Sequence, residues 1–261
     1  MNKKLTLIKL GGSVITNKNK PLSADKNAIK RLVDIISKKK IPLIIIHGGG
    51  SFGHYWSVKF DMHTKPEKYS PKGISIVHSS MLDLNKIVTE ILSSKNLFPY
   101  SISPLSLLLG SRPFTRKIRE LKTMTEHNII PVTFGDVVHI NDNKYSIISG
   151  DVLVTILSNI LKPSKVIFTT NVDGVFNNLD EKKIIREIDV SSFNINDKSI
   201  NTSAVYGVDD VTGGMKRKLK EAVRIANQGT DVVFINGLYP TNLENVLTKK
   251  KFKGTIFKAK N

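Results

Sequence analysis

The sequence contains no cysteine, which excludes disulfide bonds and thiolate metal ligands. Aromatic residues are few, at 7% of the chain, and no aromatic-rich motif of the RNA-binding type is present. No apolar run approaches the roughly 20 residues that span a bilayer. The first residues lead directly into a strand-like stretch, without the pattern of a signal peptide. These absences predict a cytoplasmic protein that has no membrane partner.

Acidic residues are also scarce, because 22 Asp and Glu stand against 40 Lys and Arg, which gives a formal net charge of +18. Such an excess of positive charge favours binding to nucleic acid, to an acidic membrane or to a small anionic substrate. The lysines are spread along the chain, and only Lys38-Lys39-Lys40 and Lys249-Lys250-Lys251 form runs, both near predicted element ends. Charge alone therefore leaves open a basic nucleic-acid-binding protein, whose binding would depend strongly on salt.

Residues 41–54 form the most informative stretch of the chain. Residues 43–46 are continuously apolar, as in a parallel strand that is buried on both faces. Gly48-Gly49-Gly50 follows, and consecutive glycines let the backbone approach a ligand and present N–H groups to an anion. His54 adds a side-chain donor to the same turn. We therefore predict an anion site here, with phosphate as the usual ligand.

Strand-like and helical segments alternate along the chain, which holds 40% apolar residues, enough for a sizeable core. Strands are predicted at residues 5–10, 43–46, 100–102, 129–133, 165–169, 231–235 and 255–257, the last as an edge strand, and helices at residues 25–40, 74–92, 104–109, 118–127, 152–161 and 216–228. This alternation favours an α/β fold, a three-layer sandwich on a mostly parallel open sheet. No repeat or linker is evident, so we expect a single domain over residues 1–261.

Two segments between these elements have distinct patterns. Residues 55–72 are polar and contain Pro66 and Pro71, which predicts a long loop or hairpin over the anion site. Residues 137–140 and 145–148 are joined by Asn141-Asp142-Asn143, which predicts a β-hairpin.

Four glycine-containing turns follow predicted strands or open predicted helices. They are Gly11-Gly12-Ser13, Gly48-Gly49-Gly50, Ser149-Gly150-Asp151 and Thr212-Gly213-Gly214. Ligands of open α/β sheets bind beyond the carboxyl ends of the strands, so we expect the turns to meet in one crevice. Several phosphate-binding turns together suit phosphoryl transfer, which depends on positioning and charge neutralisation. Lys9, Lys18 and Lys218 supply cations beside these turns, and Asp151 can hold those lysines by ion pairing.

These motifs, in this order, resemble the amino acid kinase superfamily from Lys9 to the end of the sequence. They include Lys9-Leu10-Gly11-Gly12-Ser13, Thr170-Asn171-Val172-Asp173-Gly174-Val175 and Gly213-Gly214-Met215-Lys216-Arg217-Lys218. Within the superfamily, Gly50-Ser51-Phe52-Gly53-His54 and residues 73–78 resemble the isopentenyl phosphate kinases. The resemblance implies a homodimeric enzyme that uses ATP and Mg²⁺ to convert isopentenyl phosphate into isopentenyl diphosphate, in the archaeal-type mevalonate route.

The resemblance also implies roles for individual residues. The residues expected at the ATP phosphates and the nucleotide are Lys9, Gly11, Gly12, Ser13, Gly50, Asp173, Gly174, Gly214 and Lys218. Those expected at the acceptor phosphate are Gly49, His54, Gly135, Asp136 and Gly150. Lys18 is implied to stabilise the transition state, and Asp151 to organise the lysines. An acceptor-binding lobe is expected over about residues 1–160 and a nucleotide-binding lobe over about 161–261. Asn17 and Asn171 stand where the family leads us to expect aspartates.

Ile74 and Val77, with Val137 and Ile147, are predicted to line an apolar slot for the five-carbon chain, although Val77 also suits the core. Two enzyme alternatives stay open. A fosfomycin-type phosphonate kinase would share His54. A carboxylate kinase such as a glutamate kinase would need a carboxylate for the ammonium group of its substrate, and no spare acidic pair lies near the glycine turns.

Overall fold

A computed structural model describes residues 4–17, 19–108, 114–178, 183–191 and 214–260. The strands in these ranges are β1 (Thr6–Leu10), β2 (Leu43–His47), β3 (Phe98–Ser101), β4 (Ile129–Phe134), β5 (Asp136–Asn141), β6 (Lys144–Ile148), β7 (Lys165–Thr170), β8 (Phe176–Asn178), β9 (Lys183–Ile184), β10 (Glu187–Asp189), β11 (Val232–Asn236) and β12 (Gly254–Lys258). Within the described ranges, eight of them form one sheet in the order β10-β12-β11-β7-β1-β2-β4-β3.

The helices of the described ranges connect these strands and cover the sheet. They are α1 (Gly12–Ile15), α2 (Lys26–Ser37), α3 (Gly50–Lys59), α4 (Pro71–Ser93), α5 (Pro104–Leu108), α6 (Phe114–Glu126), α7 (Gly150–Leu161), α8 (Gly214–Asn227) and α9 (Pro240–Leu247). Asp25 caps α2 by accepting a hydrogen bond from the Ala28 N–H, and Ser70 caps α4 by accepting one from the Gly73 N–H. None of these helices is long and apolar enough to cross a membrane.

The core lies on both faces of the sheet, because every residue of β1 and β2 is buried. Ile8 and Ile45 pack with α2, α4 and α9 on one face, while Leu7 and Ile44 pack with α6, α7 and α8 on the other. Continuous apolar strands of this kind are expected where helices cover both faces of a parallel sheet. The predicted three-layer α/β class is therefore confirmed.

The central strands β7, β1, β2 and β4 are parallel and adjacent. Leu10, at the end of β1, stands opposite both His47 of β2 and Thr169 of β7. Because parallel strands end at the same edge of a sheet, the turns that follow them lie together. This edge, the carboxyl edge, is where the turns Gly11-Gly12-Ser13 and Gly48-Gly49-Gly50 are found.

Two predictions about local structure require correction, and one helix was missed. Residues 55–59 were expected in a loop but continue α3, whose apolar side chains do not recur on one side and so give no helical pattern. Residues 71–72 of that segment begin α4, and Glu67 pairs with Tyr145 of the predicted hairpin of β5 and β6. The predicted edge strand β12 is internal, because β10 pairs with its outer side. Helix α9 was not predicted.

Candidate active site

A buried ion pair lies directly beneath the glycine turns. Lys9, the fourth residue of β1, places its Nζ 2.7 Å from Oδ1 of Asp151, the second residue of α7. Only about one twentieth of each side chain is exposed, with fractions of 4% and 5%. Ser149 caps α7 by accepting a hydrogen bond from the Val152 N–H, which fixes the turn that carries Asp151. The structure therefore brings together two residues that are 142 positions apart in the sequence.

Asp151 lies at the centre of a group of cations. Lys218 of α8 places its Nζ 3.8 Å from the second carboxylate oxygen. Burial alone would raise the pKa of Asp151, but the charges of Lys9, Lys218 and Arg217 outweigh it and lower this pKa to about 2. Asp151 is therefore ionised at neutral pH and pairs with Lys9 and Lys218, as the sequence predicted. Arg217 was not among the predicted site residues.

The first two glycine turns are in direct backbone contact. A Cβ on Gly12 would collide with the backbone N of Gly50, and one on Gly50 would collide with Thr16 Oγ1. Gly50 also has a φ of +48°, a conformation that L-residues with a Cβ rarely adopt. The Thr16 hydroxyl joins the turns, because it donates to the Gly12 carbonyl at 2.7 Å and accepts from the Ser51 N–H at 3.0 Å. Gly12 and Gly50 thus form one continuous backbone surface.

Not every N–H of these turns is available to a ligand. The Gly11 N–H donates to Thr169 Oγ1 at 3.1 Å, which ties β1 to β7. The sequence placed Gly11 with Gly12 and Ser13 as backbone donors to phosphate. In this structure Gly12 and Ser13 begin α1, while the Gly11 N–H already has a partner inside the protein.

The turn after β4 lies beside the turn after β2. The Gly135 N–H donates to the His47 carbonyl at 3.1 Å, and a Cβ on Gly150 would lie only 2.9 Å from that same oxygen. His47 is fully buried, and this burial lowers its pKa to about 4 although Gly48 and Asn85 hydrogen-bond to its ring. His47 is therefore neutral and supports the turns from below. Gly135 and Gly150 meet the second glycine turn, where the sequence expected the acceptor phosphate.

Asp136 does not present an open carboxylate to this crevice. It is 2% exposed, its Oδ1 accepts the Val137 N–H at 2.8 Å, and its Oδ2 lies 2.7 Å from Nδ1 of His78 on α4. Burial raises the pKa of Asp136, and the hydrogen bond from His78 opposes that effect. The same hydrogen bond raises the pKa of His78. His78 was not among the predicted site residues, because nothing in the local sequence connects it with Asp136.

His54 lies on α3 rather than in the glycine turn, because that helix already begins at Gly50. The His54 side chain is exposed. Helix α3 packs on α4 through Met81, whose Sδ lies 3.0 Å and 3.1 Å from the positions that Cβ atoms on Gly49 and Gly53 would take. His54 follows Gly53 on α3 and points to solvent.

A small apolar cluster lies next to this junction and apart from the two main cores. Its members are the buried residues Met62, Val77 and Val137 and the partly buried residues Trp56, Phe60, Tyr69, Ile74, Tyr145 and Ile147. It includes the four residues that the sequence placed around an apolar slot. The Gly135 turn, where the sequence predicted the acceptor phosphate, therefore lies next to an apolar cluster.

The expected nucleotide side follows β7. Asp173 forms an ion pair with Lys253 at 2.6 Å and accepts a hydrogen bond from Asn236 at 3.0 Å. A Cβ on Gly174 would lie 2.6 Å from Thr255 Oγ1, so β12 packs closely against this turn. Lys253 was missed by the sequence reasoning, since it lies 80 residues from Asp173 in a lysine-rich stretch.

The structure thus gathers most of the predicted site residues at the carboxyl edge of β7, β1, β2 and β4. Gly214 begins α8, the helix that carries Lys218. Lys18, Thr212 and Gly213 lie outside the described residues. Thr16 is an additional residue of the site, and the spacing of four residues from Gly12 is the only local signal that could have indicated it.

Comparison with known proteins agrees with this geometry. The sequence pattern of the amino acid kinase family matches residues 4–236. The chain is 31% identical to isopentenyl phosphate kinase of Thermoplasma acidophilum, over 97% of this chain and 100% of that protein. It is 34% identical to isopentenyl phosphate kinase of Methanocaldococcus jannaschii, over 82% and 85% of the two chains. The solved product complex of the T. acidophilum enzyme superposes with a TM-score of 0.79 at 27% identity, covering 97% of this chain and 100% of that one.

Proposed function

The chain belongs to the amino acid kinase family, and we propose that it is a kinase that transfers the terminal phosphoryl group of ATP to isopentenyl phosphate. One observation carries the choice of acceptor. An apolar cluster adjoins the Gly135 turn through Val137, while the buried Lys9–Asp151 pair lies beneath the glycine turns. Glycine turns that suit a phosphate, next to an apolar cluster, fit an acceptor with a phosphate head and a hydrocarbon tail. The full-length similarity to isopentenyl phosphate kinases supports the same choice.

In the proposed reaction an oxygen of the acceptor phosphate attacks the terminal phosphorus of ATP. The new P–O bond forms while the bond to ADP breaks, and negative charge spreads over the transferred group. Lys9 and Lys218 provide positive charge on that path, and Asp151 holds both ammonium groups in place. The abutting turns at Gly12 and Gly50 offer a surface without side chains on which the phosphates can lie. Lys18 keeps its proposed role at the transition state.

Two negatively charged phosphates must approach each other for this reaction. The lysine ammonium groups and the neighbouring glycine turns are proposed to reduce the repulsion between them. His54, whose exposed side chain lies on α3, is proposed to donate a hydrogen bond to the acceptor phosphate. Gly49, Gly135 and Gly150 are proposed to let that phosphate approach the backbone. Asp173, Gly174 and Gly214 are proposed to border the nucleotide.

Mg²⁺ is proposed to enter with ATP. Within the described residues, no group of three or more His, Asp or Glu side chains is close enough together to hold a metal ion. Mg²⁺ commonly keeps several waters and binds through substrate phosphates with few protein ligands, so the residues present suit a metal carried by the nucleotide. The ion would neutralise phosphate charge together with the lysines.

We further propose that the enzyme works as a cytoplasmic homodimer. Strand β3 ends the eight-stranded sheet within the described residues, and its Phe98 and Tyr100 side chains are 64% and 56% exposed. Exposed aromatic side chains on a strand whose outer side has no partner strand within the described residues suit an interface with a second copy. Sedimentation of wild type and Phe98→Glu tests this point. A wild-type monomer would contradict it.

The deciding experiment is an ADP-release assay with ATP and Mg²⁺ against isopentenyl phosphate, fosfomycin, glutamate and UMP. We expect isopentenyl phosphate to give the highest kcat/KM. Lys9→Met should abolish this turnover, whereas Lys95→Met, which removes a half-exposed lysine paired with Asp34, should leave it unchanged. A clear preference for another acceptor would overturn the proposal.

A further inference from the structure

The pair formed by His78 and Asp136 links α4 to the first residue of β5, and the two residues are unequally buried. The Asp136 side chain is 1% exposed, whereas the His78 side chain is 42% exposed. Nδ1 of His78 lies 2.7 Å from the carboxylate, so the ring is held by its inner edge. Its other nitrogen, Nε2, stands on the opposite edge of the ring and is left for a second partner.

The position of this pair relates it to the acceptor side of the crevice. Asp136 follows Gly135, whose N–H binds the carbonyl of His47 immediately before the second glycine turn. His78 follows Val77 of the apolar cluster and lies one helical turn before Met81, which contacts Gly49 and Gly53. The ring of His78 therefore belongs to the border between the glycine turns and the apolar cluster. The phosphate head of a prenyl phosphate would lie at such a border.

We propose that His78 is a second side chain that binds the acceptor phosphate through Nε2, and that Asp136 is its positioning residue. This inference rests on the proposed function. With Nδ1–H donated to Asp136, a proton on Nε2 faces outward, and the ring then carries a positive charge that suits a phosphate. The hydrogen bond to Asp136, which raises the pKa of His78, favours this protonated form.

This assignment also explains why an acidic residue lies beside a phosphate site. A carboxylate in direct contact with the acceptor phosphate would repel it, but both oxygens of Asp136 are occupied by His78 and the Val137 N–H. Asp136 then acts only through His78.

Substitution of His78 by glutamine or asparagine distinguishes a phosphate-binding role of its Nε2 from a purely structural role of its contact with Asp136. Glutamine at position 78 places an N–H donor near the position of Nε2, whereas asparagine places one near Nδ1, where it can satisfy Asp136. We expect His78→Ala to raise the KM for isopentenyl phosphate by roughly ten- to one-hundred-fold, the usual effect of losing a charge-assisted hydrogen bond. The KM for ATP should stay near wild type. His78→Gln should recover part of the loss, and His78→Asn should not.

The control is His127→Ala, because His127 is exposed and precedes β4 at the opposite edge of the sheet. It should leave both KM values unchanged. Recovery by His78→Asn rather than His78→Gln, or an unchanged KM for the acceptor in His78→Ala, would overturn the proposal. Wild-type turnover tests the proposed function separately. If another acceptor of the panel were preferred, the same KM ratios with that acceptor would still decide the role of His78.

Discussion

The buried pair of Lys9 and Asp151 allows a quantitative prediction about stability. In Asp151→Asn the Lys9 ammonium stays buried, with a side chain 4% exposed, but loses its counter-charge. Removing one partner of a buried pair costs about 3–5 kcal/mol. The pKa of Asp151 gives a second route, because a shift from 3.8 to about 2 corresponds to about 2–3 kcal/mol at 1.36 kcal/mol per unit. Together these routes place the cost at about 2–5 kcal/mol.

Urea unfolding followed by circular dichroism measures this cost. Asp34→Asn is the matched control, because Asp34 also lies 2.7 Å from a lysine, Lys95, but both side chains are about two-fifths exposed. That substitution should cost less than about 1 kcal/mol. A second variant, Lys9→Met with Asp151→Asn, removes both charges and should regain most of the lost stability. Equal costs for Asp151→Asn and Asp34→Asn would refute the argument that burial, and not distance, determines the energy.

The pH dependence follows from the same pair. The folded state lowers the pKa of Asp151. The contribution of the Asp151 carboxylate to the free energy of unfolding is therefore fully present above about pH 4 and is lost as the pH falls towards 2. The difference in unfolding free energy between wild type and Asp151→Asn should therefore be constant near neutrality and shrink over that acidic range. A difference that stayed constant down to pH 2 would show that the carboxylate charge is not its source.

Three further predictions concern the turns and the acceptor. Gly50→Ala should destabilise the protein by more than Gly229→Ala and should reduce turnover. Both glycines have a positive φ, but only at Gly50 would the added Cβ also collide with a neighbouring hydroxyl. Equal unfolding midpoints of the two variants would contradict this. His54→Ala should lower kcat/KM for isopentenyl phosphate about ten- to 150-fold while the KM for ATP stays normal, with partial recovery in His54→Gln. Lower thermal stability with intact acceptor kinetics would make His54 structural. Ile74→Ala should admit longer prenyl monophosphates, with discrimination changed by about 1–3 kcal/mol. Unchanged selectivity between five- and ten-carbon acceptors in Ile74→Ala and Val77→Ala would place the slot elsewhere.

The sequence was sufficient to predict the sandwich and the main glycine turns, because both depend on local patterns. Buried parallel strands are continuously apolar, as residues 43–46 show, and a glycine is needed wherever two backbones touch, as at Gly12 and Gly50. The ion pair of Lys9 with Asp151 was also predictable, since Lys9 lies near the end of β1 and Asp151 at the start of α7, beside turns that meet at one edge of the sheet.

The remaining features depend on contacts between distant segments. Nothing near His78 indicates that its partner is Asp136, 58 residues later. The helical state of residues 55–59 is set by packing of α3 on α4 rather than by a local apolar stripe. The interior place of β12 depends on which strand pairs with its outer side, and β10 is too short, at three residues, to be found by periodicity.

The place of β12 has a consequence for biosynthesis. Residues 254–258 lie between β11 and β10, although β10 is synthesised about 65 residues earlier. On the ribosome, β1, β2, β4 and β7 can pair as they emerge, but β10 has no strand to join until β12 has been made. Within the described residues, the sheet beyond β11 is therefore completed only after β12 has been translated, and a nascent chain stalled within α9 should have β1, β2, β4 and β7 paired and β10 unpaired.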